Sequence, residues 1–171
     1  MHDEADYLAD LAQARAETRA AFENRAIMYY HLFEAFAEEV GRDTAVDVMK
    51  RAIYRRGLDV GRKYAAAAEA RDFDEVGRLF CEGSPCGGAL FEPGVEAVDS
   101  EGIVLRMTAC PLVDAWRTLG LAPEEIDTLC EIAASVDEGT FEGAGLELTF
   151  KERLGTSGAS RCILELRSRS L

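Results

Sequence analysis

The sequence predicts an α+β fold in which a helical N-terminal half packs on a small antiparallel sheet formed mainly by the C-terminal half. Apolar residues recur at helical spacing up to about residue 82, whereas short alternating segments bounded by turn residues dominate after residue 89. The 171 residues contain no internal repeat and no low-complexity linker. We therefore expect a single domain over residues 1–171, with a helical part at 1–82 and an α+β part at 89–171.

Three helices are predicted in the N-terminal half. The first covers residues 5–40, in one piece or two, and ends where Gly41 interrupts the apolar stripe. The second begins near Asp43 or Thr44 and continues toward residue 70. The third covers residues 72–80 and stops before a glycine-rich loop. This half is interpreted as scaffold.

Strands and helices are mixed in the C-terminal half. Residues 94–98 and 102–108 are predicted to form two strands joined by a tight turn. Pro111 begins a helix that ends near Leu119, and Pro123 begins another. We expect the sequence Asp137-Glu138-Gly139 to follow this last helix and to precede a closing hairpin.

The closing hairpin consists of a strand at 146–153 and a last strand that carries Cys162. Alternation places Phe150 and Glu152 on the same, inward face of the first strand. If Phe150 pairs with Leu164, Glu152 lies opposite Cys162. An inward carboxylate next to a thiol needs a partner, because an isolated buried charge is costly.

Charge and cysteine content limit the functional classes. The net charge of −13 disfavours binding to nucleic acid or to an anionic membrane surface, so we expect a small molecule or a protein as the partner. Five cysteines, an odd number, favour reduced thiols, and no apolar run approaches the ~20 residues of a spanning helix. The first four residues do not resemble a signal peptide, and a cytoplasmic location is expected.

A spaced pattern of residues in the C-terminal third resembles the L-2-amino-thiazoline-4-carboxylic acid hydrolase family. The pattern consists of Cys110-Pro111, Trp116, Leu119-Gly120, Cys130, Asp137, Leu148 to Leu154, Gly158 and Cys162. The resemblance covers roughly residues 105–168. It implies a bacterial enzyme that adds water to an aminothiazoline carboxylate and opens the ring to give N-carbamoyl-cysteine.

The same segment is similar, more loosely, to the vinyl-4-reductase-type ligand-binding domain. In that domain a Cys, a Glu and two further Cys bind zinc, which makes zinc a candidate cofactor here. Cys130, Glu152 and Cys162 stand at compatible spacing, whereas Leu154 or Gly155 replaces the remaining cysteine. Three protein ligands are typical of catalytic zinc, which keeps one position for water.

Two chemical routes follow from these residues. In the first, water bound to a metal held by Cys130, Glu152 and Cys162 attacks the substrate, and Asp137 or Glu152 transfers protons. In the second, Cys110 is the nucleophile, its thiolate favoured by the N-terminus of the helix that begins at Pro111.

Each of these candidates also has a structural interpretation. Cys110, Cys130 and Cys162 suit a hydrophobic core. Trp116, Cys130 and Cys162 either belong to that core or form the wall of a substrate pocket. Asp137 suits a cap or a turn in the loop before Gly139, and Glu152 suits the solvent-exposed end of its strand. We expect a hydrolase acting on a small cyclic C–N or C–S substrate; the alternative is a noncatalytic small-molecule binding or sensing domain. The amphipathic N-terminal helices make a homodimer a candidate under either hypothesis.

Overall fold

The computed structural model of the chain describes residues 4–169 and confirms the α+β fold. The first three residues, on which the signal-peptide prediction partly rests, lie outside this range. The elements are α1 (Glu4–Val40), α2 (Arg42–Gly61), α3 (Ala65–Glu69), α4 (Phe73–Glu82), a 3-10 turn (Pro85–Gly88), β1 (Pro93–Asp99), β2 (Gly102–Met107), α5 (Pro111–Thr118), α6 (Pro123–Gly143), β3 (Leu146–Glu152) and β4 (Cys162–Ser168).

The N-terminal helices follow the predicted order with one division. Gly41, at a φ of 83°, ends α1 and is directly followed by α2. The helix predicted to continue toward residue 70 instead ends at Gly61, and the short α3 follows after a turn. Asp72 caps α4 by accepting a hydrogen bond from the Glu75 amide at 3.0 Å, as the polar residue at that position favours.

The four strands form one antiparallel sheet with the order β1-β2-β4-β3. Asp99 closes the turn between β1 and β2, since its carboxylate accepts hydrogen bonds from the amides of Glu101 and Gly102 at 2.8 and 2.9 Å. Helices α4 and α6 pack on this sheet. Leu105, Leu164 and Leu166 of the two central strands are fully buried in the shared core.

Helix α6 corrects the sequence prediction. It continues through Asp137 and Gly139 and ends only at Gly143, so Asp137 lies in the helix and not in a loop. The reason is tertiary packing: a Cβ added to Gly139 would lie 2.9 Å from the Tyr54 carbonyl carbon and 3.1 Å from the Gly57 Cα. Glycine is required there by the close approach of α2 and does not end the helix.

The closing hairpin has the predicted pairing at one end and a different one at the other. Phe150 pairs with Leu164, as expected, but a β-bulge between Phe150 and Glu152 places Glu152 opposite Ile163. The extra residue shifts the pairing register, because two residues of one strand oppose one residue of the other. The prediction that Glu152 faces Cys162 is therefore wrong.

The hydrophobic core lies between the sheet and the helices. Trp116 of α5 is completely buried, and its indole N–H donates to the Ala26 carbonyl of α1 at 2.8 Å. This bond joins the long first helix to the C-terminal half. Over residues 4–169, no helix is both long and apolar enough to cross a membrane.

Candidate functional site

A cavity of about 640 Å³ lies beside α1, α2 and α6 and is bounded on one side by the loop at 83–85. Most of its lining is apolar. Aromatic and aliphatic side chains are contributed by several elements, among them Phe22, Tyr29, Leu32, Met49, Ile53, Phe80, Phe91, Leu112, Phe141 and Phe150. The size and the apolar lining are those of a small-molecule binding site.

Asp137 places a carboxyl group in this apolar cavity. It projects from the C-terminal half of α6, and no residue in the described part of the chain forms a hydrogen bond or an ion pair with it. The residue is half-buried, and its partial removal from water, with a smaller contribution from the nearby Glu138, raises the pKa of the Asp137 carboxyl from 3.8 to about 7. Near neutral pH this group is therefore able both to accept and to donate a proton.

Cys110 lies at the strand-to-helix junction immediately before α5 and lines the same cavity. Burial raises the pKa of its thiol to about 11, and the amides of Val113 and Leu112 act in the opposite direction without compensating. The helix N-terminus thus favours the thiolate, as the sequence predicts, but burial outweighs it. Cys110 is a neutral thiol at pH 7.

Cys130 and Cys162 are neighbours of Cys110 on the cavity wall. The Cys162 thiol accepts a hydrogen bond from the Leu154 amide at 3.3 Å, and burial raises its pKa to about 12. Burial also raises the pKa of Cys130, against the effect of the Gly155 amide. Both thiols are 7–8% exposed and remain protonated. They form a compact, weakly polar part of the wall.

The structure thus brings four of the sequence-predicted site residues to one cavity: Cys110, Cys130, Asp137 and Cys162. Trp116 does not belong to that group. Its side chain is enclosed by the core, and its single polar atom is bonded to Ala26. Trp116 acts on the cavity only by holding α5, and therefore Cys110, in place.

Glu152 lies apart from the thiols with which it was expected to bind zinc. Its carboxylate accepts hydrogen bonds from the Ser160 amide at 3.1 Å and from the Arg161 side chain at 3.4 Å, and the side chain is 32% exposed. Within the described range, no three His, Cys, Asp or Glu side chains are grouped so as to hold a metal ion. The residues present do not fit the predicted zinc site.

Three further lining residues were not among the predicted site residues. Tyr64 is 3% exposed, and the pKa of its hydroxyl is raised by burial and by the nearby Asp137. In the sequence it is one member of an apolar helical stripe. Arg25 and Arg56 also line the cavity. In the sequence they do not differ from the charged residues on any solvated helix face.

The fold has a relative among solved structures. A trafficking protein particle complex subunit 3 from Naegleria fowleri, crystallised covalently bound to palmitic acid, superimposes with a TM-score of 0.57 at 11% sequence identity. The match covers 88% of this chain and 96% of that one. At this identity the similarity establishes the fold alone.

The sequence comparisons are more specific. No curated protein matches the chain. The family model for L-2-amino-thiazoline-4-carboxylic acid hydrolase matches residues 19–165, which include α2 to α6, the cavity and almost the whole sheet. This chain therefore belongs to the L-2-amino-thiazoline-4-carboxylic acid hydrolase family.

Proposed function

We propose that the protein is a hydrolase that adds water to a small cyclic C–N or C–S substrate of the 2-aminothiazoline carboxylate type. One observation carries this proposal: a carboxyl group with a pKa of about 7 and no protein partner among the described residues, Asp137, faces an apolar cavity. Groups with such perturbed pKa values in cavities are common at catalytic sites. The family membership supplies the substrate type.

Asp137 is proposed to transfer the protons of this reaction. Water adds across the C2=N bond of the ring: its oxygen bonds to C2, and one of its protons reaches the ring nitrogen through the Asp137 carboxylate. The C2–S bond then breaks, the C2=O bond forms, and the hydroxyl proton passes through the same carboxyl group to the leaving sulfur. The product is the open carbamoyl thiol, and Asp137 returns to its initial state.

In this proposal the nucleophile is water and not Cys110. A thiol with a pKa of about 11 is almost entirely protonated near pH 7, so direct attack by Cys110 would first require an unfavourable deprotonation. Cys110, Cys130 and Cys162 instead form a wall that takes no charge. The covalent route predicts complete inactivation of Cys110→Ser, whereas addition of water predicts a loss of less than about tenfold, because no bond to Cys110 forms.

The proposal is tested with Asp137→Asn, which preserves size but cannot transfer a proton. We expect kcat for ring opening of L-2-aminothiazoline-4-carboxylate to fall by about 10²–10⁴-fold. Glu124→Gln, an exposed substitution in the first turn of the same helix, is the control and leaves kcat unchanged. Equal turnover by Asp137→Asn and the parent protein would contradict the proposed role of Asp137.

A second candidate function is noncatalytic binding of an apolar small molecule. It is favoured by the predominantly apolar lining of the cavity, and a protein of the same fold holds palmitic acid covalently. Under this alternative the protein opens no thiazoline ring, but apolar ligands raise its melting temperature. Catalysed opening of the thiazoline ring, at a rate that saturates with substrate concentration, would exclude the noncatalytic function.

A further inference from the structure

Two arginines extend the cavity lining beyond its apolar part. Arg25 projects from α1 and Arg56 from α2, the two helices that meet at Gly41, and both side chains are exposed to solvent as well as to the cavity. The Arg25 guanidinium lies over the Phe22 ring, 4.3 Å from its centroid. Phe22 in turn packs edge-on against Phe91, another lining residue. These arginines therefore occupy the solvent-facing end of the cavity.

Neither arginine is neutralised by the protein. In residues 4–169, no carboxylate forms an ion pair or a hydrogen bond with Arg25 or with Arg56. This differs from Arg153, a third lining arginine, whose guanidinium pairs with the Asp127 carboxylate at 3.2 Å. Arg51 and Arg55 of α2 also lack a carboxylate partner among residues 4–169, but they do not line the cavity, whereas Arg25 and Arg56 are both unpaired and part of its lining.

We propose that Arg25 and Arg56 form an anion-binding subsite at the mouth of the cavity and hold the carboxylate of the ligand. Guanidinium groups bind carboxylates through two parallel hydrogen bonds, and the adjacent apolar lining accommodates the rest of the ligand. The inference rests on the proposed function in that it concerns the same cavity. It assigns to the site a ligand with an anionic head at the arginines and an apolar body in the interior.

The volume of the cavity is compatible with such a ligand. At about 640 Å³ it lies within the roughly 300–1,000 Å³ of small-molecule pockets, and part of it opens to solvent. A carboxylate that carries an apolar substituent would contact more of the apolar lining than the bare aminothiazoline ring does.

Two fluorescent probes of similar shape and different charge test the subsite without requiring turnover. 8-Anilinonaphthalene-1-sulfonate is an apolar anion, and N-phenyl-1-naphthylamine is its uncharged counterpart. We expect Arg25→Met/Arg56→Met to weaken binding of the anion by about tenfold and to leave binding of the neutral probe unchanged. Arg55→Met removes a neighbouring exposed arginine that does not line the cavity, and it should change neither affinity.

A further variant locates the probes. Ala52→Trp places a bulky side chain at an exposed lining position and should weaken the binding of both probes. Three results would each overturn the subsite. The double arginine variant could bind the anion with unchanged affinity, it could lose affinity equally for both probes, or Ala52→Trp could leave binding of the anion unaffected. Because these are binding measurements, an absence of ring opening would count against the proposed hydrolase and not against the subsite.

Discussion

The two sides of α6 differ in how tightly they are packed and in whether their polar groups have partners. Toward α2, the helices touch backbone to backbone: a Cβ on Gly57 would lie 2.8 Å from both the Gly139 Cα and the Thr140 nitrogen. Toward the cavity, Asp137 of the same helix has no bonded partner in the described chain. One side is packed without space for a methyl group, and the other leaves a carboxyl group facing a void.

This difference separates the residues that support the structure from those that are available for chemistry. Close helix packing holds α6 rigidly, so that a carboxyl group two residues before Gly139 stays in an apolar cavity that raises its pKa to about 7. A rigid element carrying a destabilised polar group is typical of functional sites.

The largest effect is expected at the packed side. Gly139→Ala should lower the free energy of unfolding by about 3 kcal/mol, because the new Cβ meets the Tyr54 and Gly57 backbone and the helices must separate. Helix propensity alone predicts the opposite sign. The control is Gly143→Ala on the same helix, where a Cβ would lie 3.2 Å from the flexible Leu58 Cδ2 and 3.3 Å from the Leu58 Cα. These contacts are looser than those at Gly139, and the effect should stay within about 1 kcal/mol. Urea unfolding distinguishes the two variants.

The thiols of the cavity wall should react slowly. At pH 7.5, iodoacetamide should modify Cys110 and Cys162 at least about 100-fold more slowly in the native protein than in urea, because burial raises their pKa values to about 11 and about 12. Mass spectrometry of quenched samples gives the rate at each site. The half-buried Cys86, outside the cavity lining, serves as the internal control. Native rates within threefold of the unfolded rates would show that the wall holds a thiolate.

Asp137 should make stability depend on pH. Its folded-state pKa of about 7 exceeds the value near 3.9 expected in the unfolded chain, so stability is lost as the pH rises from about 4 to above 7. Asp137→Asn removes this loss. We compare the free energy of unfolding of the variant with that of the parent protein. The difference in favour of the variant should be larger at pH 8 than at pH 4 by on the order of 2 kcal/mol, and access of water to the cavity limits this effect. An equal difference at both pH values in urea unfolding would contradict the raised pKa.

The smallest effect concerns Trp116, which belongs to the packed part of the molecule. Trp116→Phe removes the indole hydrogen bond to Ala26 and should cost about 1–2 kcal/mol. Affinity for the neutral naphthylamine probe should not change, since Trp116 does not line the cavity. A lower affinity without a loss of stability would instead place Trp116 in the binding site.

Much of the sheet could be predicted from the sequence because its signals are local. Alternating residues fix the pairing of Phe150 with Leu164, and the Asp99 turn follows from its side-chain chemistry. Glu152 was misplaced because the bulge that precedes it arises from strand pairing and leaves no mark on the alternation.

The site was predicted less completely because its key features depend on contacts between distant segments. The sequence predicts that Asp137-Glu138-Gly139 follows the helix, although it is the contact with Tyr54 and Gly57 that requires a glycine inside the helix. Only the continuous helix places Asp137 in the cavity. Arg25 and Arg56 do not stand out in the sequence for a similar reason, since their position in the cavity lining is a property of the folded chain.

The most direct test of this account is the pKa of the Asp137 carboxyl group itself. Carbon-13 NMR of protein labelled at the aspartate carboxyl carbons, with the signal assigned by its loss in Asp137→Asn, follows this group through a pH titration. We predict a midpoint near 7. A midpoint below 5 would mean that Asp137 is solvated or paired, and it would contradict the proposed role of this residue in proton transfer.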